Sequence, residues 1–346
     1  MAEPVRRPDT MTLSLRSAAV GIVSLLACPP GWPYLADGSL DVHWSAGAQD
    51  CASNPTPPLQ VHQYNSRTYI LRESLCATFE APFMYLLIGS RRALLIDTGD
   101  VAAASQMPLA QTVLDLLPGN GPAKLPLIVA HTHRHMDHRA GDPQFQHLPN
   151  VELVPFDLAG VQKYYGFTHW PDGVAQVDLG DRTVDVLPTP GHESTHVSFY
   201  DRNTALFFSG DFLLPGRLLI SDAAADLASA RRVAAFIRDR PVSHVLGGHI
   251  ELDRAGRAFP WGSQFHPDER PLQMTKADLL ALPEALSGFN GFYAERGGFL
   301  LMNPIRNLLV VAAAAAVVLA ALAAWTFRFL RRRIAARRQR SAPVRP

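Results

Sequence analysis

Apolar residues fall into short blocks through most of the chain and into one long block near its end. From Val61 onward, RTYILRES (67–74), PFMYLLIG (82–89) and RRALLIDTGD (91–100) are brief aliphatic and aromatic runs with turn formers between them. That pattern predicts successive strands. Residues 108–117 carry helical spacing, and PLIVAHTH (126–133) is a buried strand running straight into a histidine-rich loop. VELVP (151–155) predicts a strand and FDLAGVQKYYGF (156–167) a helix. GVAQVDLG (173–180), RTVDVLPTPGH (182–192), VSFYDR (197–202) and TALFFSGD (204–211) predict further strands. A helix over 224–238 and the strand SHVLGGH (243–249) complete the pattern near Leu252. Strand runs bracketed by helices predict an α+β fold of two sheets faced by helices. Residues 253–303 add aromatics and a helix-like DLLALPEAL, without a usable motif. Pro29 to Pro58, rich in Pro, Gly, Ser, Ala and Asn, predicts a linker or loosely packed lead-in.

The long block, Leu308 to Phe327, has no polar face. Its twenty residues at ~1.5 Å each match a ~30 Å hydrocarbon core. RFLRRRIAARRQR follows at once. The positive-inside rule keeps such a tail in the cytoplasm and puts the body on the other side. A second apolar run, Ala18 to Ala27 behind Arg16, is too short to span comfortably and predicts a signal-peptide core. It ends LLAC, resembling a lipoprotein lipobox at Cys28; cleavage without lipid or a retained anchor are the alternatives. The expected organisation is leader 1–28, lead-in 29–60, catalytic domain 61–252, C-terminal extension 253–307, transmembrane helix 308–327 and basic tail 328–346.

The formal net charge of +1 hides an asymmetry. Eight arginines lie in the tail, and the body carries an excess of about eight acidic residues. A domain that holds a phosphate backbone is usually basic, so nucleic acid is not the expected partner. Cys51 and Cys76 could pair in an oxidising compartment or stay as two thiols.

The candidate chemistry sits in AHTHRHMDHRAG, Ala130 to Gly141, where four histidines and an aspartate crowd together. Imidazole nitrogens must converge at ~2.0–2.1 Å to share an ion. On an extended loop, residues two apart point the same way. Both His131/His133 and His133/His135 meet that condition. Asp137 and His138 are adjacent, point apart, and could serve a second metal position. The frame H-x-H-x-D-H, His133 to His138, uses all of these and leaves His131 a structural role at the strand end.

Five motifs in order give the chain a wider resemblance: Asp97 in LLIDTGD, HRHMDH, His192 in PTPGH, Asp211 in FFSGD and His249 in LGGH. Over roughly Val61 to Leu252 the sequence resembles the metallo-β-lactamase superfamily. The resemblance implies a four-layered αβ/βα sandwich and two zinc positions. His133, His135 and His192 would hold the first; Asp137, His138 and His249 the second; Asp211 would bridge them. Iron or manganese also suit such ligands. It further implies hydrolysis of a small ester, lactone, thioester or amide by a metal-bridging hydroxide. Asp137 would orient the nucleophile and receive a proton, Asp97 would support the loop as a hydrogen-bond acceptor, and His196 would pack behind the ligands.

Some positions depart from the family. Arg139 stands where small residues are frequent, at the expected cleft rim, to meet an anionic substrate or a surface carboxylate. FLLPGRLLI after Asp211 lacks the glycine-rich segment of glyoxalase II-like members, which weakens a glutathione thioester reading. No cysteine stands near Asp211, unlike the best-known β-lactamase subgroup, and the substrate-gripping tyrosine of lactonases cannot be located. Tyr164, Tyr165, Trp170 and Arg217 are candidates for lining the cleft. The expected partners are a small-molecule substrate and, through the last helix, a lipid bilayer. The alternative function is a metal-dependent phosphodiesterase; a redox member using iron and a non-catalytic binding module are further readings.

Overall fold

The computed structural model describes residues 35–120 and 124–340, together with Met1. The predicted leader with Cys28, and the end of the basic tail, lie outside them. From Leu35 onward the strands sort into two six-stranded sheets and one of three strands.

The first sheet takes β1 (Leu59–Asn65), β2 (Thr68–Glu73), β3 (Phe83–Ile88), β4 (Ala93–Ile96), β5 (Leu127–Ala130) and β6 (Val151–Leu153) in that order. Antiparallel neighbours give way to parallel ones at β4–β5–β6. All residues of β3, β4 and β5 are buried, so their runs are continuously apolar rather than alternating. Helix α1 (Leu109–Leu116) covers the outer face with Leu109, Ala110 and Val113.

The second sheet runs β13 (Gln273–Met274), β12 (His244–Gly247), β10 (Leu206–Gly210), β9 (Val197–Asp201), β8 (Thr183–Pro188), β7 (Ala175–Asp178). Helices α3 (Ala223–Ile237) and α4 (Lys276–Ser287) pack on its outer face through Ala230, Val233, Leu279 and Leu282. Asp222 accepts the Ala224 and Ala225 amides at the start of α3, and Thr275 with Asp278 closes a capping box on α4. Between the sheets, Tyr85, Leu94 and Ile128 meet Val186, Phe199 and Phe208. Helix, sheet, sheet, helix is the four-layered αβ/βα sandwich.

The third sheet joins distant segments: β11 (Arg217–Leu219) pairs in parallel with β15 (Phe299–Met302), which pairs antiparallel with β14 (Tyr293–Arg296). Residues 253–303 are thus woven into the body. Helix α5 (Pro304–Arg340) follows β15. Its span Pro304–Arg337 is long and apolar enough to cross a membrane, and none of it is buried against the protein.

The described part of the lead-in, 35–58, carries no helix or strand and no buried residue, yet it is fastened to the body at several points. Leu35 packs against the core on the outer side of the second sheet, Trp44 sits edge-on to Phe83 at 5.0 Å, and β1 begins at Leu59. Cys51 and Cys76 are joined by a disulfide. Three expected cleft residues also go elsewhere: Tyr164 and Tyr165, on α2 (Leu158–Tyr165), and Trp170 pack onto the inter-sheet core.

Away from the histidines, Arg182 ties the sheets together. Its guanidinium, 2% exposed, donates to both carboxylate oxygens of Asp201 at 3.0 and 2.8 Å, and to the Arg67 carbonyl and Thr68 Oγ1 of the facing sheet. Arg182→Leu leaves Asp201 buried without its cation and should cost about 3–5 kcal/mol of unfolding free energy. Arg67→Ala, which breaks the exposed pair with Asp181, should cost no more than about 1 kcal/mol. Urea denaturation in detergent measures both.

Candidate metal centre

The motif residues all lie just past strand ends, where the two sheets meet. Asp97 follows β4, His131 to His138 follow β5, His192 follows β8, Asp211 follows β10 and His249 follows β12. Two backbone links lock the sheets here: the Phe83 amide donates to the Gly248 carbonyl at 2.8 Å, and the Val197 amide to the Thr132 carbonyl at 2.7 Å.

Asp97 organises the loop. Its backbone is left-handed, φ 66°, a conformation that Asp tolerates better than most residues. Its Oδ1 accepts the Thr132 amide at 2.7 Å; its Oδ2 accepts Thr132 Oγ1 and His138 Nδ1 at 2.9 Å each. The loop then makes one turn of 3₁₀ helix, Met136–His138, which swings Asp137 and His138 to a different side from His133 and His135.

Two clusters result. In the first, His135 Nδ1 lies 2.9 Å from His133 Nε2 and 3.1 Å from His192 Nε2. In the second, His138 Nε2 and His249 Nε2 are 3.2 Å apart, each 3.3 Å from Asp137 Oδ2. Asp211 faces both, with Oδ1 at 3.4 and 3.5 Å from His138 and His249 and Oδ2 at 3.5 Å from His192 and 4.0 Å from His133. The ligating atoms within each group lie inside 4.8 Å of one another. Tetrahedral ligands of an ion at ~2.0–2.1 Å sit roughly 3.3 Å apart, so the spacing fits.

Proton placement points the same way. A carbonyl only accepts, so His192 Nδ1 must donate to Leu219 O, and His249 Nδ1 to Glu80 O, at 2.7 Å each. His138 Nδ1 donates to Asp97. Their Nε2 lone pairs are thereby turned toward one another and toward two carboxylates. Asp211 Oδ1 is buried without a hydrogen-bond partner. Without a bound cation, protons on the imidazoles would supply the positive charge that the two carboxylates demand. Burial opposes a charged His249, but Asp211 and Asp137 outweigh it and push its pKa up to about 10. Burial likewise opposes ionisation of Asp137, yet His138 and His249 hold its carboxyl well below the usual range. A divalent cation in each cluster would satisfy the lone pairs together and release those protons.

Second-rank residues explain the motifs' other letters. His196 is no part of either cluster: it donates from Nδ1 to Thr189 Oγ1 and accepts the Asp211 amide on Nε2 at 3.2 Å. Burial, followed by the charge of His192, holds it well below its usual pKa. His131 pairs with Asp142 at 2.8 Å, away from the clusters. Gly248 is required because a Cβ there would meet Asp211 Oδ1 at 2.4 Å and His138 Cε1 at 2.9 Å. Gly210 has φ 50° and a Cβ there would strike the Thr132 side chain.

Arg139 pairs with no carboxylate among the described residues. It donates to the Arg134 carbonyl and lies over the Phe156 ring at 3.9 Å. Its neighbour Arg134 takes the carboxylate instead, pairing with Glu193 at 2.8 Å and tying the HxHxDH loop to the His192 loop. The cleft, about 170 Å³, is lined by His135, Asp137, His192, Asp211 and His249, with Leu214, Leu219, Glu80, Glu251, Arg217 and Trp261 around them. Of the sequence candidates for the lining, Arg217 alone is there. The Glu80 and Leu219 carbonyls leave no side-chain signal, and Trp261 lies beyond the last motif.

Fold and site together define a metal-dependent hydrolase built at the seam of two sheets. The profile of the metallo-beta-lactamase superfamily matches residues 77–249, and the chain belongs to that superfamily. The acyl-coenzyme A thioesterase MBLAC2 of Gallus gallus is 25% identical over 217 residues, covering 53% of this chain and 77% of that protein. The hydroxyacylglutathione hydrolase of Aeromonas hydrophila subsp. hydrophila is 28% identical over 165 residues, 46% of this chain and 59% of that enzyme. A solved metallo-beta-lactamase from Pontibacter korlensis has a TM-score of 0.43 at 20% identity, covering 65% of this chain and 99% of that one.

Asp97→Asn removes one of the two acceptor oxygens that serve Thr132 and His138. Metal affinity should fall about 10–100-fold with secondary structure kept, measured by titration against a competing chelator. Gly248→Ala should cost at least as much, because its methyl displaces Asp211.

Proposed function

We propose that the protein is a dinuclear zinc-dependent hydrolase of acyl substrates, thioesters foremost, anchored to a membrane by α5. The observation that carries the reading is the convergence of His133, His135 and His192 beside Asp137, His138 and His249, with Asp211 reaching both groups. Iron or manganese would also suit the donors. Ions held there would supply a hydroxide nucleophile at neutral pH and a Lewis-acid hold on the acyl carbonyl.

The protein's own groups complete the chemistry. His138 is fully enclosed and the Asp211 side chain is 11% exposed, whereas the Asp137 side chain is 22% exposed. Asp137 is thus the more open of the two carboxylates, placed to meet an incoming water, orient it and hold its proton. The Leu219 and Glu80 carbonyls keep His192 and His249 in one orientation, so little rearrangement is needed when substrate binds. Leu214 and Leu219 present an apolar wall to the acyl group, and Trp261 and Arg217 close one side. Two relatives of different kinds bear names that denote thioester hydrolysis, which favours a thioester over an amide or lactone.

Placement follows from α5. Its apolar span has no protein partner among the described residues, so lipid is the solvent that suits it. The arginines beyond it favour the cytoplasmic side. The Cys51–Cys76 disulfide agrees with a body in an oxidising compartment. In this reading the catalytic unit extends through β15, because β11 and β15 form one wall.

The zinc-loaded chain in detergent should hydrolyse an acyl thioester within a panel that also holds a lactone, a carboxylic ester, a chromogenic β-lactam and a phosphodiester. Asp137→Asn should lower that rate at least 100-fold with metals still bound, as should removal of metal by chelation. Turnover of the phosphodiester alone would sink the acyl reading.

A further inference from the structure

The root of α5 is built into the wall of the catalytic cleft. β15 ends at Met302 and α5 begins at Pro304, with only Asn303 between them. Asn303 is buried and fastened on three sides. Its amide donates to the Phe292 carbonyl at 2.8 Å, its Nδ2 to the Ser221 carbonyl at 3.4 Å, and its Oδ1 accepts the Arg306 amide at 2.9 Å. Pro304 then opens the helix with its φ already set. A joint with no flexible residues cannot let the body drift as a Gly/Ser linker would.

The register carries that joint to the site. Met302 lies opposite Leu219 on one side and Tyr293 on the other. Leu219 lines the cleft and its carbonyl holds His192 Nδ1. With neighbouring strands ~4.8 Å apart, His192 Nε2 lies within roughly 15–20 Å of the helix root. The uninterrupted apolar run starts at Leu308, roughly 6 Å further along the helix. The polar interfacial layer of a bilayer is about that thick on each side.

Exposed apolar side chains flank both the helix root and the cleft mouth. Phe292 and Tyr293 stand 41% and 47% exposed beside the root, and Ile305 is in its first turn. At the cleft, Trp261 is 56% exposed and held flat against Arg217, 4.4 Å from guanidinium to ring. Arg217 is itself fixed by Glu251 at 3.6 Å and by the Phe259 carbonyl. Phe79 extends this rim. Aromatics with one wet end concentrate at membrane interfaces.

We propose that the cleft works at the bilayer surface and takes acyl thioesters or esters whose aliphatic chain stays in the leaflet facing the body. The inference rests on the acyl hydrolase reading and on α5 spanning the bilayer. Trp261, with Phe79, guides the chain from the interface, and Leu214 and Leu219 receive its carbonyl end.

The test uses the full chain, metal-loaded, in phosphatidylcholine and phosphatidylglycerol nanodiscs. Two substrates are compared: a water-soluble short-chain acyl thioester and a long-chain acyl thioester dissolved in the discs. One variant carries ten Gly/Ser residues between Asn307 and Leu308, leaving Asn303, β15 and every cleft residue in place. Such an insert adds roughly 17 Å of reach. Long-chain turnover should fall at least tenfold while short-chain turnover stays within twofold. Equal rates on both substrates, before and after the insertion, would overturn the inference and leave the hydrolase reading standing. Failure of the unmodified chain on both thioesters, with two metals bound, would overturn both. Independently, lipids brominated high on the acyl chain should quench tryptophan emission less in Trp261→Phe than in the parent. Identical quenching would place Trp261 away from the interface and reject the proposal.

Discussion

One carboxylate holds the centre together. Asp97, in a left-handed backbone at the end of β4, receives the Thr132 amide, the Thr132 hydroxyl and His138 Nδ1. The first two fix the course of the loop between His131 and His133. The third sets the His138 ring so that Nε2 points into the second cluster. The Thr132 side chain also lies so close to Gly210 that a Cβ there would strike it, and the Thr132 carbonyl accepts the Val197 amide. The strands carrying Asp211 and His192 are therefore positioned against the same residue that Asp97 grips.

Electrostatic need and mechanical fixation coincide here. Carbonyl acceptors at Leu219 and Glu80 take the outer protons of His192 and His249. The inner nitrogens are left to face Asp137 and Asp211 across 3.3–3.5 Å. Buried carboxylates and imidazoles are costly without a counter-charge. That cost makes the pocket a strong attractor for divalent cations, and its relief links metal uptake to stability.

The sequence displays what depends on local spacing. Apolar runs mark β2 to β5 and β8 to β10 because those strands are buried on both faces. The motif residues stand out because converging donors demand short intervals, and the fold does bring all seven together. Non-local packing was hidden. Nothing in the proline-rich lead-in announces that Trp44 packs on Phe83. Tyr164, Tyr165 and Trp170 carry the composition of a binding wall, yet the inter-sheet core claims them. Arg139 finds a ring, Phe156, that only folding brings near. The pairing of β11 with β15 joins segments far apart in the chain, and backbone carbonyls such as Leu219 O have no letter of their own.

That same pairing has a consequence for how the molecule is made. Leu219 cannot acquire its partner Met302 until nearly the whole body has been synthesised, and the next segment to emerge is α5. Pairing of strands so distant in sequence is intrinsically late. The wall of the cleft is thus finished only as α5, long and apolar enough to cross a membrane, begins to emerge. Copies terminated before β15 lack that wall, so completion of the centre waits on the last strand of the body.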